Sequence, residues 1–161
     1  MKLTSFQLKK DPNTLRIGAI HDNAIIDFTS TDLPNTMIDF INLGNQGLEK
    51  ANDYIHKEVN GHLLDDIFLK SPIYRPNKIL AVGLNYKKHV DEAKDLSDHH
   101  SNDVLFQEQY PNIFNKQNSS INDPYGDVHR PNQSDCLDYE GELGFIIGKE
   151  CRHVKYDESN K

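Results

Sequence analysis

Apolar and polar residues alternate from Leu3 to Leu8, the period-two pattern of a half-buried strand. Asp11-Pro12-Asn13 then reads as a turn, and Leu15 to Ile20 as a second strand. His21-Asp22-Asn23 turns the chain into a third strand over Ala24 to Phe28. Pro34 is placed to start a helix running through Phe40 and Ile41, with Gly44 behind its end. A second helix is predicted from about Gln46 to Val59, stopping near Gly61, before Leu63 to Leu69 return as an extended segment. Ser71-Pro72-Ile73-Tyr74-Arg75-Pro76 is a proline-punctuated linker. The boundary therefore falls between a small α/β unit over residues 1–70 and a second part over 71–161.

The second part opens on Ile79 to Val82, a short apolar run that predicts a buried strand with Gly83 as a sharp exit. Tyr86 to Lys94 follow as a helical turn or two, which makes His89 and Glu92 neighbours at i and i+3. A carboxylate beside an imidazole raises its basicity and fixes its tautomer, as a general base requires. On the pair alone, a solvated helix carrying an incidental His–Glu pair is the favoured reading. Asp95 to Asp103 reads as a polar loop, in which the adjacent side chains of His99 and His100 are expected to diverge. Ile113-Phe114-Asn115-Lys116 predicts a strand ending in a cation, and Asp123 to Asp127 is turn chemistry.

Leu143 to Ile147 is an apolar run, partly β-branched and closed by Gly148, and it predicts a core strand. Just before it stand Glu140 and Glu142. On a strand, residues at i and i+2 share a face roughly 7 Å apart. Two such carboxylates suit one hard cation, which takes oxygen donors; the alternative is a strand end with a wet outer face.

Composition narrows the function classes. A net charge of -7 argues against a nucleic-acid surface, since phosphate binding draws on clustered Lys and Arg. No apolar run approaches a membrane span, and Met1-Lys2-Leu3-Thr4-Ser5 lacks a signal-peptide core, so a cytoplasmic location is expected. Cys136 and Cys151 form no C-x-x-C pair and are expected to be free thiols. The mean hydropathy of -0.71 is polar for an enzyme core.

Taken in order, Lys78-Ile79-Leu80-Ala81-Val82-Gly83-Leu84-Asn85-Tyr86 with His89 and Glu92, then Ile113-Phe114-Asn115-Lys116 with Ser119-Ser120-Ile121-Asn122, carry a likeness that continues downstream. Asp127-Val128 leading to Pro131, Asp138-Tyr139-Glu140-Gly141-Glu142-Leu143 and Ile146-Ile147-Gly148-Lys149 complete it. In these residues the chain resembles the fumarylacetoacetate hydrolase family, in its shorter bacterial branch acting on 2-oxo acids and related diones. The resemblance implies an α+β, mostly β fold in which residues 71–161 are the first part of a mixed β-sheet roll. It also implies Mg²⁺ or Mn²⁺ held by Glu140 and Glu142, His89 oriented by Glu92 as the proton-moving group, and Lys116 directed toward substrate. The expected partner is a small-molecule 2-oxo acid or dione, with a homodimer possible.

The sequence departs from this pattern in two ways. Family members complete the metal site with an Asp on a later strand, and this sequence ends at Lys161 before such a position occurs. Gly141 stands where relatives often carry an apolar β-former. Two functions are therefore carried forward: a metal-dependent enzyme cleaving or rearranging 2-oxo acids, or an inactive truncated remnant or partner subunit of one.

Overall fold

The computed structural model describes residues 1–57, 61–88 and 110–159. These form two compact units, one made by Met1–Tyr74 with the described residues from Asn122 onward, the other within Arg75–Ile121.

The first unit is built on a five-stranded sheet. Its strands are β1 (Lys2–Leu8), β2 (Asp11–His21), β3 (Ala24–Asp27), β4 (His62–Leu63) and β5 (Ile67–Lys70). They lie in the order β4-β3-β2-β1-β5 with every pairing antiparallel. The alternating run at the N-terminus forms β1 as expected. The first turn, however, lies at Lys9-Lys10 and not at 11–13, because Asp11 already pairs with Leu8. Pro12 is tolerated inside β2 because the register shifts between Phe6 and Leu8, and a bulge is where a residue lacking an N–H can sit. The β2–β3 hairpin turns on Asp22 and Asn23, whose φ values of 45° and 64° are those of a two-residue turn with left-handed central residues. Gly18 is obligatory for packing: a Cβ there would lie 2.3 Å from the Ile26 carbonyl oxygen, so β2 and β3 can approach only with no side chain.

Two helices cover one face, α1 (Met37–Asn42) and α2 (Asn45–Lys57). The first begins after Pro34 because Thr36 caps it, its hydroxyl accepting the Asp39 N–H at 3.2 Å. It ends where Gly44 adopts φ 57°, its N–H donating to the Ile41 carbonyl. Ile17, Ala19, Ile26 and Phe28 from the sheet pack here against Met37, Phe40, Ala51 and Ile55. Phe6, Leu8, Ile25 and Ile67 form a second cluster. Register explains the split, since Phe6 and Ile17 lie at positions of opposite parity across the paired strands β1 and β2. The linker is tied to this sheet through the Ser5 hydroxyl, which donates to the Pro72 carbonyl at 2.9 Å. Asp123 holds the later segment to the end of β5, accepting from the Ser71 N–H at 3.1 Å and pairing with Lys70.

The second unit contains an antiparallel ribbon, β6 (Ile79–Gly83) with β7 (Asn112–Lys116). Both strands were expected. The burial expected of β6 is not found: Leu80 is exposed and its neighbours are at most half-buried. Among the described residues the ribbon has two strands only, too few to bury one of them. The exit conformation sits one residue later than expected, since Leu84, not Gly83, has φ 52°.

The core strand expected over Leu143–Ile147 is not formed. No strand is present from residue 117 to 159, and every residue there lies outside the buried class. A run that is apolar on both faces becomes a strand only when neighbours supply a ladder and two covering layers. Among the described residues no strand pairs with residues 144–147. The observed architecture is thus mostly β and antiparallel, with few helices, and its buried core ends at Ile67.

Candidate functional site

The five residues singled out in the sequence are placed as follows. His89 and Glu92 lie outside the described residues. Lys116 closes β7 in the second unit, opposite Ile79, with its Nζ 5.5 Å from the centre of the Phe114 ring. Phe114 and Lys116 share a strand face at i and i+2, which accounts for this cation–aromatic contact. Glu140 and Glu142 belong to the first unit and are exposed, on a segment without regular structure. The i, i+2 argument for a shared strand face therefore does not apply to them here. Asp138 organises the start of this segment locally, its Oδ1 accepting the Tyr139 N–H at 2.8 Å.

Two glutamate carboxylates supply the hard oxygen donors that a divalent ion takes. Among the described residues no group of three or more His, Cys, Asp or Glu side chains is placed to hold a metal ion. The donor chemistry fits, but these residues supply only part of a site. Cys136 and Cys151, which bracket the segment, are exposed free thiols. Among the described residues no helix is long and apolar enough to cross a membrane.

The most developed electrostatic cluster lies elsewhere, on the N-terminal sheet. Arg16 on β2 donates from Nη1 to Asp27 Oδ2 on β3 and from Nη2 to Asp11 Oδ2, both at 3.0 Å. Asp27 Oδ1 accepts from the Thr29 N–H at 2.8 Å and the Thr29 hydroxyl at 2.6 Å. His62 Nε2 on β4 approaches Asp27 Oδ2 at 3.4 Å. Burial works to raise the Asp27 carboxyl, but the Thr29 hydroxyl and amide, joined by Arg16, outweigh it and hold the group below the usual carboxylate range. The Arg16 guanidinium lowers Asp11 in the same way, and these partners raise Arg16. Sequence reasoning missed this cluster, because its members are dispersed from 11 to 62 and meet only through strand register. It ties β2, β3 and β4 together, so it reads as structural.

Comparison with known proteins bears on the other residues. A family model described as fumarylacetoacetate hydrolase C-terminal matches residues 78–161, just over half of the chain and a span that includes all five candidate residues. The chain is 34% identical over 165 residues to a mitochondrial oxaloacetate tautomerase of Xenopus laevis, covering 99% of this chain and 48% of that protein. It is 32% identical over 158 residues to a fumarylacetoacetate hydrolase domain-containing protein 2 homolog of Dictyostelium discoideum, covering 96% of this chain and 48% of the relative. An uncharacterized protein of Methanocaldococcus jannaschii is 42% identical over 88 residues, or 53% of this chain and 32% of its own length. The chain spans about half the length of the first two relatives. On the match across 78–161, the chain belongs to the fumarylacetoacetate hydrolase family.

Proposed function

We propose that this chain contributes the metal-binding and proton-transfer residues of an enzyme acting on small 2-oxo acids. The observation that carries the reading is that one family match spans His89, Glu92, Lys116, Glu140 and Glu142 together. The tautomerase name of the Xenopus laevis relative supports isomerisation of such an acid. Hydrolytic cleavage of an acylpyruvate is the second reaction of the same reading, because both pass through the enolate of a 2-oxo acid, formed in one by proton loss and in the other by C–C cleavage after water adds to the acyl carbonyl.

Glu140 and Glu142 would hold Mg²⁺ or Mn²⁺, which when bound supplies Lewis-acid polarisation of the substrate's carboxylate and 2-oxo oxygens. His89, oriented by Glu92, would take the proton from the carbon beside the 2-oxo group and return it, or activate water in a hydrolysis. Lys116 would stabilise negative charge developing on the substrate oxygen. Two surface carboxylates bind a divalent ion weakly, because Mg²⁺ sheds its water reluctantly. The 161-residue chain alone is therefore expected to give little or no turnover, which is the sense in which the inactive partner-subunit reading is retained.

The test measures turnover of oxaloacetate and of an acylpyruvate with Mg²⁺. It uses the chain alone and the chain fused to the part of the Xenopus laevis relative outside the aligned residues. The fusion is expected to be active, with His89→Ala lowering kcat at least ~100-fold and Glu140→Ala abolishing the Mg²⁺-stimulated turnover. Unchanged activity in both variants would reject these roles. Robust turnover by the 161-residue chain alone would overturn the expectation of an incomplete site.

A further inference from the structure

Two imidazoles that the proposed reaction does not use meet on the surface of the N-terminal unit. His21 ends β2 at the entry to the Asp22-Asn23 turn, and His56 lies in the last turn of α2. Their ring centres are 6.5 Å apart, with the planes tilted by 41°. Packing beneath them fixes this approach, since Ala19 on β2 and Ala51 and Ile55 on α2 belong to one buried cluster. Strand and helix are therefore held at a set spacing, while both histidines stay exposed.

The contacts of each ring decide which of its nitrogens can act as a donor of electrons. His56 Nδ1 lies 2.7 Å from the Asn52 carbonyl oxygen. A carbonyl only accepts, so Nδ1 carries the proton, and in the neutral ring Nε2 then holds the lone pair. His21 Nε2 lies 3.4 Å from Asp22 Oδ2. A carboxylate likewise only accepts, which puts the His21 proton on Nε2 and the lone pair on Nδ1. An imidazole that gives one N–H to a carbonyl or carboxylate and keeps its other nitrogen unprotonated is arranged like a metal-bound histidine. The acceptor fixes the tautomer and strengthens the donor nitrogen. Two neighbouring rings on different elements share this arrangement here.

We propose that His21 and His56 bind one borderline divalent transition-metal ion of the Zn²⁺ class, which clips the tip of the β2–β3 hairpin to the end of α2. Imidazole nitrogen suits Zn²⁺, Ni²⁺ or Cu²⁺ and not the hard Mg²⁺. With Zn–N bonds of ~2.0–2.1 Å, two rings on one tetrahedral ion have centres roughly 5 Å apart. Reaching that from 6.5 Å takes a closure on the order of 1 Å, which rotation about the side-chain bonds of two exposed rings supplies. Among the described residues no three His, Cys, Asp or Glu side chains are grouped to hold an ion. The protein therefore gives two donors, Asp22 stands behind His21 as its acceptor, and water fills the remaining positions.

The experiment titrates Zn²⁺ into the 161-residue chain and follows backbone amide and imidazole nitrogen resonances residue by residue. Signals at 21–23 and at 52–57 are expected to move along one shared saturation curve, although the two stretches are far apart in sequence. His21→Gln and His56→Gln should each weaken that binding at least ~10-fold. Neither should change the metal-free urea midpoint, since both rings are exposed. Saturating Zn²⁺ should raise the midpoint of the parent chain and leave that of either variant in place, because only a bound ion stabilises the fold in this way. Residue resolution separates this site from the Cys136 and Cys151 thiols and from Glu140 and Glu142. A response at one ring only, two different saturation curves, or binding unaffected by either substitution would overturn the proposal. So would signals that move only around 136–151.

Discussion

Phe40→Ala is expected to destabilise the N-terminal unit by about 3–5 kcal/mol, the range for truncating a buried aromatic. Phe40 is almost completely buried, and its ring lies 6.0 Å from that of Phe28 with the planes only 17° apart. Phe28 follows β3 and Phe40 sits on α1, so this pair is where the short first helix is fastened to the sheet. That helix has six residues, too short to persist without tertiary packing. Truncation would leave a cavity facing Phe28 and weaken the anchorage of α1 together. In a unit of this size each kcal/mol moves Tm by roughly 4–8 °C, so a fall on the order of 15 °C or more is expected. Urea unfolding followed by far-UV circular dichroism reads the loss directly. A loss below about 1 kcal/mol would mean that Phe40 does not hold the helix in place.

The second large effect is expected at Asp27. Asp27→Ala removes the acceptor for Arg16 Nη1 and for both Thr29 donors. The Arg16 charge would then be left largely out of water with Asp11 as its remaining carboxylate partner. Removing one member of such a cluster is expected to cost about 2–3 kcal/mol, less than for a fully buried pair because both side chains retain some exposure. The pH dependence follows from the same contacts. Asp27 and Asp11 are both held below their ordinary values in the folded chain, so folding favours their ionised forms. Their stabilisation is present in full above the unfolded carboxylate value near ~4 and is lost as pH falls from there through the lower folded values. Urea midpoints measured from pH 7 down to pH 3 should drop less steeply in Asp27→Asn than in the parent chain. Equal slopes would show that Asp27 titrates alike in the folded and unfolded states.

The N-terminal sheet was legible in the sequence because its strands are short, alternating and separated by turn residues that act locally. Asp22-Asn23 supplies left-handed turn conformations from its own chemistry, and Gly44 ends a helix in the same way. Misplacements occurred where the deciding term was not local. Pro12 looked like part of a turn, but cross-strand pairing through a bulge keeps it in β2. The Arg16–Asp27–His62 cluster depends on three strands coming into register, which no spacing reveals. Leu143–Ile147 failed for the same reason on a larger scale: a doubly apolar strand is specified by what covers it, and that covering is not supplied by the described residues. Of the candidate site, the family motifs were readable from residue order alone. Its geometry was not, because His89 and Glu92 lie outside the described residues and Glu140 and Glu142 stand on the uncovered segment.

The account turns on Glu140 and Glu142 being donors to one divalent cation, and Mn²⁺ titration followed by residue-resolved nuclear relaxation tests this most directly. The chain carries 25 acidic residues, so diffuse binding must be separated from a site. Line broadening that begins at residues 140–142 and is lost in the Glu140→Gln, Glu142→Gln double variant is the predicted result. Broadening that begins elsewhere, or that is identical in the double variant, would contradict it.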